Sequence, residues 1–247
     1  MDVLFEKRFR GFEDIALGGY VGGFLAGVLP SAEVKLRRPV PLERPLHVEE
    51  QEEGARELLD EDEVLARLRP SRVDVAVPAP VSLAEGAAAS ARSLQRSGVV
   101  NPFRGCFTCG DGRVEGDGLR IFAGPVPGRQ VVAAPWTPDR AFADAAGEIQ
   151  PEVVWSALDC PTIMAAVFAS PPDAAERVVT RQLAVARRAP VRAGLPHVIL
   201  AWLSGREARG LFAEGAILSG DGRLLAVARH GLAVASWGVP LGVKRWR

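Results

Sequence analysis

The sequence falls into two halves with the same order of elements, and this duplication limits the fold more than any other feature. In each half an apolar segment comes first. Short segments that alternate apolar and polar residues follow it, as antiparallel strands do. Short motifs repeat with this layout, since Arg37-Arg38 and His47-Val48 recur as Arg187-Arg188 and His197-Val198, each 150 positions later. We therefore predict an α+β protein of two tandem units, at residues 1–98 and 99–247.

The helix of the first half is predicted over residues 15–29, which are rich in glycine. A spacing of four residues places Gly18 with Gly22, and Gly19 with Gly23, on adjacent faces. Glycine costs about 1 kcal/mol per residue relative to alanine, so this helix needs tertiary burial, and its small face lets another backbone approach closely. Strands are expected next at residues 33–39, 46–53, 58–68 and 72–81, with a helix-tending connector at 82–100.

The helix of the second half is predicted at about residues 150–169. Pro161 lies inside it, so we expect a kink or a break near Asp159. Strands are expected at residues 119–122, 129–136, 178–186, 197–203, 210–218 and 224–233. The sequence Ser219-Gly220-Asp221-Gly222 between the last two is typical of a hairpin turn.

Charge and composition limit the classes of partner. Lys plus Arg and Asp plus Glu balance at 30 each, so no basic excess is available for a nucleic-acid backbone. The uncharged segment at residues 15–31 is too short for a confident membrane span. Three cysteines form no disulfide framework. We predict a soluble, cytoplasmic protein without nucleic-acid or membrane partners.

Three stretches resemble hotdog-fold thioesterases, specifically the phenylacetate-type acyl-CoA thioesterase branch. They are Cys106-Phe107-Thr108-Cys109-Gly110, Gly118-Leu119-Arg120-Ile121-Phe122 and Trp136-Thr137-Pro138. The resemblance implies two hotdog units, each an antiparallel sheet wrapped round a central helix, packed as a double hotdog. It also implies hydrolysis of an acyl-CoA or a related acyl thioester, without a cofactor.

In this family the central helix starts at His-Gly-Gly and carries an acid nine residues after the histidine. The second half has Gln150-Pro151-Glu152 at the helix start and keeps the acid, Asp159. The first half has Leu17-Gly18-Gly19 at the start and Ala26 at the acid position. The resemblance thus implies one composite site, because each half retains one part and Pro151 has no N–H to donate.

The resemblance assigns roles within that site. The N–H of Gly19, or of Tyr20, is expected to stabilise the oxyanion, and Asp159 is expected to act as base or nucleophile. Thr162 is expected to orient water or Asp159. Gly18, Tyr20, Thr162 and Trp155 form the predicted substrate-binding set. The basic tail Lys244-Arg245-Trp246-Arg247 could help to hold a CoA phosphate, although an exposed, solvated terminus is the favoured interpretation.

Each assignment has a simpler alternative. Asp159 could cap the second part of a broken helix, and the glycines could serve only packing. Cys106 and Cys109 have the spacing of a metal or redox pair, but no second pair accompanies them, so we predict buried thiols and no metal.

The whole molecule could be a non-catalytic double hotdog that binds acyl thioesters, or a structural protein unrelated to thioesters. A homodimer is a further expectation.

Overall fold

The computed structural model describes residues 1–12, 14–96, 103–171, 176–207 and 210–236. The predicted boundary between residues 98 and 99 and the basic tail at 244–247 lie outside these ranges. Both therefore stay predictions.

The described part of the chain contains three α-helices and eleven strands, besides four short 3-10 helices. The helices are α1 (Gly18–Ala26), α2 (Leu83–Ser90) and α3 (Pro151–Ala169). The strands before residue 98 are β1 (Asp2–Leu4), β2 (Ser31–Leu36), β3 (Pro45–Glu50), β4 (Arg56–Asp60) and β5 (Glu63–Pro70). Those after it are β6 (Gly124–Pro125), β7 (Val132–Trp136), β8 (Glu176–Arg187), β9 (His197–Glu207), β10 (Gly210–Ser219) and β11 (Leu224–Ser236).

The strands form one antiparallel sheet whose order is symmetric about its centre. The order is β1-β3-β4-β5-β2-β8-β11-β10-β9-β7-β6. Apart from β6, each strand of one half has a counterpart in the other, with β2 matching β8 and β3 matching β9. The duplication inferred from the sequence is therefore the symmetry of the sheet, and the halves join where β2 pairs with β8, as at Val34 opposite Leu183. His47 and His197 also correspond, because β3 and β9 pair through them with the matching strands β1 and β7, at Asp2 and Trp136.

The sheet buries apolar side chains on both faces. Along β9, Ile199 and Ala201 belong to the main core, which also holds residues of α1 and α3. The alternate residues Val198 and Leu200 belong to a second core with residues of α2. This alternation is what a strand produces when helices cover both faces.

Helices α1 and α3 pack against each other through the glycines of α1. A Cβ on Gly23 would lie 2.3 Å from the Glu152 Cα, and one on Gly19 would lie 2.9 Å from the Trp155 carbonyl oxygen. The helices run antiparallel, since Gly19 contacts α3 further along its length than Gly23 does. The close approach predicted for the glycine face is thus made to the helix of the other half.

Several predicted boundaries change. The first helix is shorter than 15–29, because Ile15 and Ala16 form β-bridges and Gly27 ends the helix with φ of +52°. The run 58–68 is two strands, β4 and β5, joined by a tight turn at Glu61, where φ is +52°.

Two predicted strands are absent from the described residues. In the segment 72–81, the carbonyls of Val73 and Asp74 accept hydrogen bonds from the side chains of Arg188 and Arg229. In a strand they would accept them from the N–H groups of a neighbouring strand. In the segment 119–122, the N–H of Leu119 and that of Ile121 donate to the carbonyls of Phe107 and Thr108.

Of the kink or break expected near Asp159, the break is wrong, because α3 continues through Pro161. A proline removes a single N–H, and burial on all sides of α3 supports the remaining helix. By length and composition α3 could cross a membrane, but 72% of its apolar stretch is buried inside the fold, as in the core helix of a globular protein.

Candidate active site

Asp159 is held between the two halves of the chain. Its carboxylate oxygen Oδ2 accepts a hydrogen bond of 2.6 Å from the N–H of Gly19, at the start of α1. Its Oδ1 accepts one of 3.1 Å from the Thr180 hydroxyl on β8. Asp159 therefore caps no helix of its own, and it lies against the glycine-rich start that the sequence pairs with it.

The environment of Asp159 makes it a carboxyl that titrates near neutral pH. The side chain is 1% exposed. Burial raises the pKa of Asp159 to about 7, although the hydrogen bonds from Gly19 and Thr180 oppose the rise. A base is most effective when its pKa lies near the working pH, so this carboxyl is suited to accept a proton there.

His230 is the second titratable group beside Asp159. Its Nε2 lies 4.0 Å from Asp159 Oδ1, too far for a hydrogen bond, and has no partner among the described residues. Its Nδ1 lies 2.6 Å from the Thr162 hydroxyl, which is also within hydrogen-bond distance of the carbonyls of Leu158 and Asp159. Burial lowers the pKa of His230 to about 3, so the imidazole is neutral and contributes no charge to the site.

A cavity of about 180 Å³ reaches Asp159 from the surface. Its walls are largely apolar, with Phe12, Ile15, Leu36, Ile163, Met164 and Val178 among them. Gly18, Asp159 and Thr180 line the same cavity. The exposed Arg37 and Arg181 also line it, and neither makes an ion pair with another described residue. The cavity therefore combines an apolar wall, one buried carboxyl and two exposed cations.

Three predicted substrate-binding residues lie away from this cavity. The Tyr20 ring stacks on Phe9 with centroids 3.9 Å apart. Trp155 is 1% exposed and packs over Gly22. Thr162 is fully buried and paired with His230 rather than with the Asp159 carboxylate. Each side chain is turned into the core by the packing of α1 or α3, so a role for these three residues in substrate binding stays a prediction, whereas Gly18 lines the cavity.

The other helix start carries no matching site. Ala26, at the position equivalent to Asp159, has no carboxyl group and is buried. Pro151 occupies the first turn of α3, and Glu152 is covered by Gly23 of α1. Burial raises the pKa of Glu152, which is consistent with a packed position at a helix start.

Sequence reasoning missed Thr180, Arg37 and Arg181. All three are strand or strand-end residues, and no motif that indicates a functional site surrounds them. The adjacent pair Arg37-Arg38 repeats in the second half, but this repeat reflects the shared layout of the halves and not the cavity. Only the pairing of β2 with β8 brings Arg37 and Arg181 to the same opening.

No protein-family model matches the sequence, and no curated protein matches it significantly. Solved structures do match it over most of its length. A tesB protein from Mycobacterium avium subsp. paratuberculosis superposes with a TM-score of 0.60 at 13% identity, covering 90% of this chain and 88% of that one. An acyl-CoA thioesterase II from Mycobacterium marinum gives a TM-score of 0.58 at 12% identity, covering 93% and 97%.

A protein of unknown function with a hotdog fold, from Alicyclobacillus acidocaldarius, gives a TM-score of 0.55 at 11% identity over 95% and 92% of the two chains. The chain has the double hotdog fold. The fold class implied by the sequence resemblance is thereby confirmed. Because all three identities are low, these likenesses establish the double hotdog architecture alone.

Proposed function

We propose that this double hotdog protein hydrolyses an acyl thioester at the composite site formed by α1 and Asp159. One observation carries the proposal: the buried Asp159 carboxylate lies against the N-terminus of α1, in the wall of an apolar cavity that opens to solvent. The protein from Mycobacterium marinum, whose name describes an acyl-CoA thioesterase, shares the double hotdog fold and supports the same reaction class.

The reaction follows from the positions of these groups. Asp159 removes a proton from a water molecule, whose oxygen attacks the thioester carbonyl carbon. The negative charge that develops on the carbonyl oxygen is stabilised by N–H donors at the start of α1, where the helix dipole is also favourable. The C–S bond then breaks, and the departing thiolate takes up the proton to give a free acid and a thiol.

The oxyanion donor needs one revision. The Gly19 N–H already donates to Asp159 Oδ2 at 2.6 Å and so positions the base. The N–H of Gly18 makes no hydrogen bond to another described residue, and Gly18 lines the cavity. We therefore assign the oxyanion role to the Gly18 N–H and a positioning role to Gly19 and Thr180.

The first experiment measures hydrolysis of a panel of acyl-CoA esters by the wild type and by Asp159→Asn. Loss of a general base typically lowers the rate 10²- to 10⁴-fold, so we expect kcat to fall by at least about 100-fold. The matched control is Asp62→Asn, an exposed aspartate in the turn between β4 and β5, which should leave kcat unchanged. Equal hydrolysis by the wild type and Asp159→Asn would end the assignment.

The proposed substrate class is an acyl-CoA, because Arg37 and Arg181 place two exposed cations at an apolar cavity. Coenzyme A carries phosphates that such cations attract, whereas its acyl group suits the apolar wall. Replacing both arginines by alanine should raise KM for an acyl-CoA about tenfold or more. The same double variant should leave KM unchanged for the acyl thioester of N-acetylcysteamine, which has no phosphate.

Arg140→Ala provides the control, since Arg140 is exposed and lies outside the cavity lining. Equal effects on both thioesters would mean that the arginines do not bind the phosphates of coenzyme A.

Binding of acyl-CoA without turnover by the wild type would favour the alternative, a non-catalytic acyl-thioester binder. We also infer a cytoplasmic location from the three free thiols. The homodimer stays a prediction.

A further inference from the structure

The cysteine residues meet in one cluster beside the candidate active site. The Sγ atoms of Cys106, Cys109 and Cys160 all lie within 4.8 Å of one another. Those of Cys106 and Cys160 are 3.5 Å apart. All three are free thiols and are buried. They are also the whole cysteine content of the chain, so every thiol of the protein converges on one point.

The cluster is held by the fold rather than by the thiols. Cys160 is fixed on α3, next to Asp159. The loop with Cys106 and Cys109 is closed by a hydrogen bond of 3.0 Å from the Gly110 N–H to the Cys106 carbonyl. The hydroxyl of Thr108 in this loop donates to the Ser156 carbonyl of α3 at 2.8 Å, one helical turn before Cys160. The three sulfur atoms are thus brought together from two segments that are pinned to each other.

We propose that Cys106, Cys109 and Cys160 bind one soft, thiophilic metal ion, Zn²⁺ or Cu⁺. Thiolate is the ligand that both ions prefer. With Zn–S bonds of about 2.3 Å, the sulfurs of a tetrahedral site lie about 3.8 Å apart. The Cys106–Cys160 separation of 3.5 Å and the limit of 4.8 Å for all three pairs match this spacing after shifts of about 1 Å or less, so ion binding would need no rearrangement of either backbone segment.

The surroundings leave room for an exchangeable fourth ligand. All three cysteines line the same cavity as Asp159, and that cavity reaches exposed residues at the surface, so an ion has a path to the sulfurs. Three protein ligands with one open position facing a cavity is the layout of a zinc site that keeps a bound water. The Asp159 carboxylate is not among the atoms that converge within 4.8 Å, so it is not counted as a ligand.

The test begins with metal-free protein, reduced and handled without oxygen. Zn²⁺ is added in competition with a chromophoric chelator, and Cu⁺ is added separately in competition with a Cu⁺-selective chelator. We expect one equivalent of at least one ion per chain, with release of protons as thiols become thiolates. Co²⁺ used as a spectroscopic probe of the Zn²⁺ arm should show thiolate-to-metal charge-transfer absorption of the strength expected for three thiolates.

Cys106→Ser, Cys109→Ser and Cys160→Ser should each weaken binding by at least about 100-fold, since even groups that only orient ligands are worth 10- to 100-fold. Ile163→Val is the control and should leave binding unchanged, because Ile163 lines the same cavity but carries no ligand atom. The proposal would be overturned if neither ion formed a one-to-one complex, if the Co²⁺ complex of a Zn²⁺-binding protein showed fewer than three thiolates, or if Cys160→Ser bound the ion as tightly as the wild type.

The second and third outcomes can be separated from a folding defect. Circular dichroism of each variant shows whether the fold is kept, and the Co²⁺ spectrum of the wild type decides the ligand count without any substitution. The readout is metal binding and not hydrolysis. Failure of the metal site would therefore leave the proposed hydrolase function untouched, and the reverse also holds.

Discussion

Asp159 combines deep burial with two hydrogen-bond donors, and these act on its ionisation in opposite directions. Burial disfavours the carboxylate and raises the pKa to about 7, whereas the Gly19 N–H and the Thr180 hydroxyl favour the charged form. The balance leaves a carboxyl that changes charge near neutral pH in the centre of the fold. Both the stability and the proposed activity of the protein should therefore depend on pH in that range.

The stability should fall as pH rises, and Asp159→Asn should remove part of that fall. Because the pKa of Asp159 is raised from 3.8 to about 7 by folding, the stabilising difference is present below the unfolded pKa and lost as pH rises through about 7. The shift corresponds to a cost on the order of 4 kcal/mol above pH 7. The gain from Asp159→Asn, measured by urea unfolding, should thus be larger at pH 8 than at pH 5, while exposed Asp62→Asn shows no such difference.

The rate of hydrolysis should rise with pH, because the same ionisation of Asp159 produces the proposed base. If the Asp159 carboxylate is the base, kcat/KM increases from about pH 6 and levels off near pH 8, because the anion forms through a pKa of about 7. The profile is to be measured with chelator present, so that the cysteine cluster holds no metal ion. A profile that is flat between pH 6 and 8 would contradict a base with a pKa near 7.

For single residues, the sequence could predict only those site residues that lie at a short, fixed spacing from a recognisable helix start. Asp159 could be singled out because it stands nine residues after a recognisable helix start, and Gly19 because it follows another. Thr180 and His230 contact or approach Asp159 from strands, where register is decided by tertiary packing. Cys160 joins Cys106 only because a loop is pinned to α3, which a separation of 54 residues conceals.

Among the elements, the contact between α1 and α3 shows most directly that glycine lets two helices approach each other closely. Gly19, Gly22 and Gly23 each face α3 or its side chains so closely that a Cβ would be 2.9 Å or less from a neighbouring atom. The sequence predicted a close approach, since only such packing supports a helix so rich in glycine. It could not predict that the partner is the helix of the other half, because contacts between remote segments leave no local pattern.

Gly23→Ala should destabilise the protein by at least about 1–3 kcal/mol, the usual cost of forcing extra atoms into a packed contact. The added Cβ would meet backbone atoms of Glu152, which cannot rotate away. Gly86→Ala is the matched control, because Gly86 is also helical but a Cβ there has its nearest neighbour at 3.5 Å. Alanine is a better helix former, so Gly86→Ala should be neutral or stabilising by up to about 1 kcal/mol in chemical denaturation.

The whole molecule is two equivalent halves joined through a single sheet. The sequence predicted the duplication from the order of elements, and the matching strand order on either side of β2 and β8 accounts for it. It did not predict which strands meet, since β2 and β8 carry the same alternating pattern as the other strands. The two halves together form one proposed site, because the first half supplies Gly18 and Gly19 and the second supplies Asp159.

Because the halves share both a sheet and a core, they should unfold together. Val34 and Leu183 pair across the junction and are fully buried in a cluster that includes residues of both halves. Calorimetry should show one transition with matching calorimetric and van't Hoff enthalpies. Leu183→Ala should lower the stability of that single transition by about 2–5 kcal/mol, whereas Leu195→Ala, at a side chain 54% exposed, should change it by no more than about 0.5 kcal/mol. Two separate transitions, with only one shifted by Leu183→Ala, would mean that the halves fold as independent units and that the composite site can open between them.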